Sequence, residues 1–230
     1  MKSDSPEGLL LVDKPAGITS HDVVDRARRA YGERSVGHLG TLDPFATGLL
    51  LVLVGRSTRL ATFLGIEPKV YEAVISFGAE TDTDDSTGEV TRSAPPPAEA
   101  DVRAAVVTLT GDIMQVPPAY SAKKVAGKRA YEAARAGEEL ELAPARVSVH
   151  GWDIGSFASD TMAATITCGG GTYIRALARD LGRASGSAAH LASLRRTRIG
   201  AFDVSDAVSA DDLIAAPPPL KTLEVTVAPD

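Results

Sequence analysis

The residues best suited to chemistry lie in Gly37-His38-Leu39-Gly40-Thr41-Leu42-Asp43-Pro44-Phe45-Ala46-Thr47-Gly48, which holds three glycines, one histidine and one carboxylate. Pro44 biases Asp43 toward an extended backbone, because its ring clashes with a helical residue before it. The glycines let the chain turn tightly and let a ligand come close. Asp43 is the candidate catalytic carboxylate, although an aspartate before proline, taken alone, is more often a turn residue. A second stretch, Cys168-Gly169-Gly170-Gly171-Thr172-Tyr173-Ile174-Arg175, reads as a glycine turn leading into a helix capped at Thr172. Its amide donors suit an anion. Arg175, Arg179 and Arg183 follow at spacings of four, a basic stripe opposite an apolar face. Solvation of that stripe is expected for Arg183 and less so for Arg175.

The bulk charge of −6 argues against a polyanionic partner, but its distribution does not. Residues 80–101 carry seven carboxylates against Arg92 alone, which equals the whole net charge. The rest is neutral in sum, with basic clusters at Arg26–Arg29, at 123–135 and at 175–198. We read the acidic loop Asp82–Gly88 as a solvated turn facing away from any nucleic acid. Its spacing lacks the glycine and glutamate of a calcium loop. His21, His38, His150 and His190 are scattered, so no metal site is expected. The single cysteine, Cys168, excludes an internal disulfide. No apolar run approaches membrane-spanning length and the start lacks a signal-peptide pattern, so a cytoplasmic protein is expected.

The elements that must position these residues follow from periodicity. Leu9–Val12 reads as a strand closed by a Pro-Gly turn. Thr19 and Asp22 have capping-box spacing before a helix ending at Gly32. The continuous apolar run Leu49–Val54 reads as a strand buried on both faces, and Val70–Phe77 alternates as a half-buried strand. Val102, Ala105, Val106 and Leu109 mark a helix stopped by Gly111. Strands follow near Val147–Val149 and Met162–Thr167, then a helix on Ile174, Leu177, Ala178 and Leu181, then a strand-like Leu223–Val227. Without a regular strand-helix-strand beat, the expectation is α+β, with helices flanking a mixed, largely antiparallel sheet.

Taken together, the motifs resemble the TruB family of pseudouridine synthases. Gly37–Pro44 resembles the family's catalytic motif, and Val12-Asp13-Lys14-Pro15-Ala16-Gly17-Ile18-Thr19-Ser20 its lysine-proline segment. Lys69-Val70-Tyr71-Glu72-Ala73 is similar to its tyrosine strand, and Val116–Lys124 to the start of its mobile RNA-binding insertion. Gly171–Arg175 and Leu194–Gly200 complete the set in family order, over about residues 8–205.

The resemblance implies the pseudouridine synthase fold and isomerisation of uridine 55 in the T-loop of tRNA, with no cofactor. It assigns catalytic roles to Asp43, Tyr71 and Arg175, and contacts to the target nucleotide to His38, Tyr71, Tyr173 and Leu194. RNA contacts are expected from Lys123, Lys124, Lys128 and Arg129, and more weakly from Lys14, Arg195 and Arg196. The expected organisation is one catalytic domain over 1–230, with a basic insertion at about 117–146 and a tail at 217–230. That is a short form without a full PUA-type domain, acting as a monomer with no obligatory protein partner. Two other readings stay open: an RNA-binding or folding module without turnover, and a nucleoside or glycoside hydrolase using Asp43.

Overall fold

The computed structural model describes residues 5–64, 66–121, 123–125, 128–130, 140–158 and 160–223, without the side chains of 124, 125, 128 and 129. In chain order the elements begin with β1 (Gly8–Lys14), α1 (Ser20–Tyr31), β2 (Val36–Leu39), β3 (Thr47–Val54), β4 (Lys69–Phe77), β5 (Ala79–Thr81) and β6 (Val90–Ser93). They continue with α2 (Glu99–Thr108), β7 (Gly111–Gln115), β8 (Lys124–Val125), β9 (Lys128–Arg129), β10 (Ala145–Phe157) and β11 (Thr161–Cys168). Last come α3 (Ile174–Ala184), β12 (Ala189–Ile199), β13 (Phe202–Asp203) and β14 (Val208–Ser209). The chain divides into two compact units, Met1–Lys69 with Arg195–Asp230, and Val70–Leu194.

The first unit is built around β3, which is why its sequence is apolar without a break from Leu49 to Val54. β1 runs antiparallel along one edge, from Gly8 opposite Val54 to Lys14 opposite Gly48. The other edge carries β2, antiparallel, and then the parallel rungs Arg195–Thr47 and Arg196–Gly48 of β12. Alternation sends Leu50, Val52 and Val54 to one face, against Leu10, Val12 and the Val23, Val24 and Ala27 stripe of α1. Leu49, Leu51 and Leu53 point the other way, onto Leu9, Leu11, Leu39 and Ile199. Helix α1 starts with the expected capping box: Thr19 and Asp22 each bond the other's backbone amide. It stops at Gly32 in the left-handed conformation.

In the second unit the strand order is β4-β11-β10-β7, antiparallel where β10 meets β11 and β7. α2 packs against α3. Tyr71, Ala73, Ile75 and Phe77 share the buried face of β4, as the alternation requires. The mixed pairing of the first unit and the antiparallel pairing of the second make the protein α+β. β12 is the longest of the strands that periodicity does not reveal: the buried Arg196 stands between the outward Arg195 and Arg198 in its pattern. Among the described residues, no helix is long and apolar enough to cross a membrane. The strand expected at 223–227 lies, beyond Leu223, outside the described residues.

Gly48 is where β3 and β12 approach most closely. Its φ is 103°, and a Cβ there would stand 2.2 Å from the carbonyl oxygen of Arg196 and 2.8 Å from its nitrogen. Gly48→Ala should therefore lose about 3 kcal/mol or more of stability. Gly37→Ala, which has open space around its Cβ, should stay within about 0.5 kcal/mol. Denaturant midpoints of the two variants check this.

Candidate active site

Asp43 belongs to the first unit, on a loop whose backbone is fastened on both sides of it. Ser20 Oγ accepts from the Leu42 amide at 2.9 Å and donates to the Leu42 carbonyl at 3.0 Å. The Gly17 amide donates to the Pro44 carbonyl at 2.8 Å, and the Asp43 carbonyl closes a turn with the Ala46 amide at 3.1 Å. Two buried cations complete the hold. Lys14 Nζ donates to the carbonyls of Pro15 (2.9 Å), Ile18 (2.8 Å) and Pro44 (3.4 Å). Arg196 donates from Nε to the Leu49 carbonyl and from a terminal nitrogen to the Gly40 carbonyl, both at 2.8 Å. The half-buried carboxylate is thus carried by a backbone with little freedom left, as a group that must meet a reacting atom requires.

This arrangement corrects two expectations. Lys14 and Arg196, read as RNA contacts, are 0% and 1% exposed. Their charges are turned inward onto loop carbonyls, because a buried cation must replace its water shell with protein oxygens. Arg195, the next residue along β12, is about one-third exposed and forms a two-bond pair with Asp13 at 3.0 and 2.7 Å. His38 lies on β2 with Nδ1 buried and without a hydrogen-bond partner. Burial, followed by the charge of Arg196, holds its imidazole below the ordinary range, so it is neutral near pH 7.

Tyr71, Tyr173, Arg175 and Leu194 belong to the second unit. Tyr71 and Leu194 are buried in β4 and β12. Arg175 is 4% exposed and donates to the carbonyls of Thr83 at 2.7 Å and Tyr120 at 2.9 Å, with Asp85 3.7 Å away. Thr172 is not the cap of α3: that position is Tyr173, and the Thr172 hydroxyl is buried without a partner. Gln115 fixes the backbone of that position, accepting from the Tyr173 amide at 2.9 Å and donating to its carbonyl at 3.1 Å. A polar residue ending the edge strand β7 gave no sequence signal for this.

The acidic stretch is the largest correction. Glu80, Asp84 and Asp85 are buried, not solvated. Asp84 pairs with Arg179 at 2.8 Å, and Glu80 takes Arg183 through two bonds and Arg92 through one. Arg175 and Arg179 meet Asp85 and Asp84 inside the fold, while Arg183 reaches the buried Glu80 from an exposed position, as expected for that end of the stripe. Burial pushes the Asp84 carboxyl up to about 6 against the pull of Arg179 and Arg175, and raises Asp180 as well. Lys124, Lys128 and Arg129 form the rungs of the β8–β9 hairpin, but their side chains lie outside the described residues. Lys123 is partly exposed, Ser121 is buried with an unpartnered hydroxyl, and residues 145–146 already belong to β10.

The profile of the TruB family pseudouridylate synthase N-terminal domain matches residues 28–174, and that of the tRNA pseudouridylate synthase B C-terminal domain matches residues 175–222. The chain belongs to the TruB family of pseudouridylate synthases. Family members isomerise uridine 55 of tRNA to pseudouridine. The tRNA pseudouridine synthase B of Thermobifida fusca is 51% identical, over 91% of this chain and 75% of the relative. That of an Arthrobacter strain is 46% identical, over 96% and 74%. Among solved structures, a chain of a Cbf5-Nop10-Gar1 complex superposes with TM-score 0.69 at 28% identity. A chain of an H/ACA RNP bound to a substrate RNA containing 2'-deoxyuridine does so with TM-score 0.67 at 25% identity. Each match covers 90% of this chain, which spans about half the length of those two chains (54% and 52%). The motif that identifies this TruB-family chain, Gly37–Pro44, is the stretch that Ser20, Lys14 and Arg196 immobilise.

Burial lowers the Lys14 ammonium from about 10.5 to about 8, although Asp43 pulls the other way. The folded chain therefore releases this proton before the unfolded chain does. Between those two pH values the unfolded state holds more protons, so the Lys14 contribution to stability becomes more favourable as pH rises. The stability difference between wild type and Lys14→Met should shift toward wild type by up to about 3 kcal/mol over that window. Urea unfolding reads this out, and a flat difference would mean the amine is solvated.

Proposed function

We propose that this chain isomerises uridine 55 in the T-loop of tRNA to pseudouridine, with Asp43 as the essential carboxylate. The observation that carries the reading is the backbone around Asp43, held at Gly40, Leu42 and Pro44 by Arg196, Ser20, Gly17 and Lys14. A turn aspartate with no further role needs no such rigidity. The reaction breaks the bond between N1 of uracil and C1′ of the ribose, turns the base, joins C5 to C1′, releases the C5 proton to solvent and leaves N1 to take up one proton in its place. Redox level is unchanged and nothing is consumed, so the reading calls for no cofactor. Cleavage develops positive character at the sugar, which a fixed carboxylate stabilises or captures.

In this reading the chain is one catalytic domain. Tyr71 stacks on the flipped uracil and assists loss of the C5 proton. Arg175 is the catalytic arginine that the family motif Gly171–Arg175 assigns. His38, Tyr173 and Leu194 contact the target nucleotide. Lys123, Lys124, Lys128 and Arg129 clamp phosphates, with Arg195 as a weaker contact because Asp13 already matches its charge. The chain acts as a monomer, in the cytoplasm where its tRNA is found.

A tRNA transcript tritiated at uridine C5 tests the reaction: isomerisation releases tritium and forms pseudouridine without free uracil. A hydrolase releases free base, and a binding module yields neither. Asp43→Asn should bind the transcript while turnover falls at least about a thousandfold, or ~4 kcal/mol; retained turnover would remove Asp43 from its role. Replacing Lys123, Lys124, Lys128 and Arg129 by glutamine should weaken tRNA binding and flatten its dependence on log salt by about 3 in slope. An unchanged slope would take these residues off the phosphates.

A further inference from the structure

Two arginines of α3, Arg175 and Arg179, do more than balance the acidic loop, because each also holds a carbonyl of the segment that precedes the basic hairpin. Arg179 donates to Asp84 Oδ2 from one terminal nitrogen and to the Val116 carbonyl from the other, both at 2.8 Å. Its Nε reaches Asp180 at 3.0 Å. One turn earlier, Arg175 takes the Tyr120 carbonyl, and Gln115 is locked to the Tyr173 backbone. Gln115, Tyr120 and Val116 are thus fastened to Tyr173, Arg175 and Arg179, at the start and over the first turns of α3.

Asp84 is built to hold its end of this arrangement. Its φ of 59° places it in the left-handed region, which aspartate and asparagine tolerate better than most side chains. Its carbonyl accepts from the Leu191 amide, and the Leu191 carbonyl accepts from Ser86, both at 3.0 Å. The loop is stitched to β12 on either side of the carboxylate, which is itself buried against Arg179.

We propose that Asp84 and Arg179 are positioning residues for RNA capture: their pair fixes Val116, and with it the point from which the chain runs into Lys123, Lys124, Lys128 and Arg129. This rests on the reading of the chain as a tRNA-binding enzyme. Neither residue meets the reacting atoms. A segment anchored before RNA arrives need not be ordered at the moment of binding. When the anchored state is only fractionally populated, the apparent dissociation constant rises by the reciprocal of that fraction. Loosening the pair therefore penalises capture and leaves the chemistry of already bound RNA in place.

The test compares Asp84→Asn, which keeps the shape and the tolerated backbone, with Arg179→Gln and the double variant. KM for tRNA should rise about tenfold in each single variant while kcat stays within about threefold. The double variant should be no worse than either single one. In the RNA-free proteins, amide hydrogen exchange at residues 116 and 119–121 should accelerate in both variants. Lost kcat at unchanged KM would overturn the proposal and assign the pair to the catalytic centre through Arg175. A lower melting temperature with unchanged KM, kcat and exchange would also overturn it, leaving only packing. If Arg179→Gln does not fold, Asp84→Asn decides. If the wild type makes no pseudouridine, the proposed activity falls, while the exchange comparison still decides whether the pair anchors Val116.

Discussion

A cation inside a protein must find oxygen atoms to replace the water it has lost. In this chain the oxygens it finds are mostly backbone carbonyls of loops. Lys14 holds Pro15, Ile18 and Pro44; Arg196 holds Gly40 and Leu49; Arg175 holds Thr83 and Tyr120; Arg179 holds Val116. Each cation converts a flexible connection into a positioned one, because releasing the carbonyl would leave a buried charge unsatisfied. The cost of such a vacancy, about 3–5 kcal/mol where a buried pair is broken, is comparable to the backbone freedom of two or three residues at about 1–2 kcal/mol each.

The same constraint explains the charge distribution. Carboxylates concentrated in residues 80–101 look from composition like a solvated acidic surface. Three of them instead face the arginines of α3 across the interior of the second unit. The net charge of −6 therefore describes neither an acidic exterior at that loop nor a basic stripe on α3, since much of each cancels the other inside.

Much of the fold was legible because one-dimensional pattern and burial coincide in it. The run Leu49–Val54 is apolar throughout because β3 has neighbours on both edges and packed layers on both faces. Thr19 and Asp22 announced the start of α1, since a capping box is a local geometry that four residues complete on their own. β12 was not legible, because Arg196 is polar by type yet buried by position, between the outward Arg195 and Arg198. Thr172 was misread for a related reason: its type suits a cap, but Gln115, far away in sequence, reaches the Tyr173 backbone first.

The sequence by itself determined the family, the strand and helix periodicities, and Asp43 as the carboxylate of interest, because each of these is written in the order of neighbouring residues. Only the tertiary structure decided which charged groups face water. Lys14, Arg196, Asp84 and Arg179 are the same residue types as their exposed counterparts, and their partners stand 30 to 156 positions away in the chain at Lys14–Pro44, Arg179–Val116, Asp84–Arg179 and Arg196–Gly40. A charge's environment is set by what folds against it, and no local pattern encodes a partner at that separation.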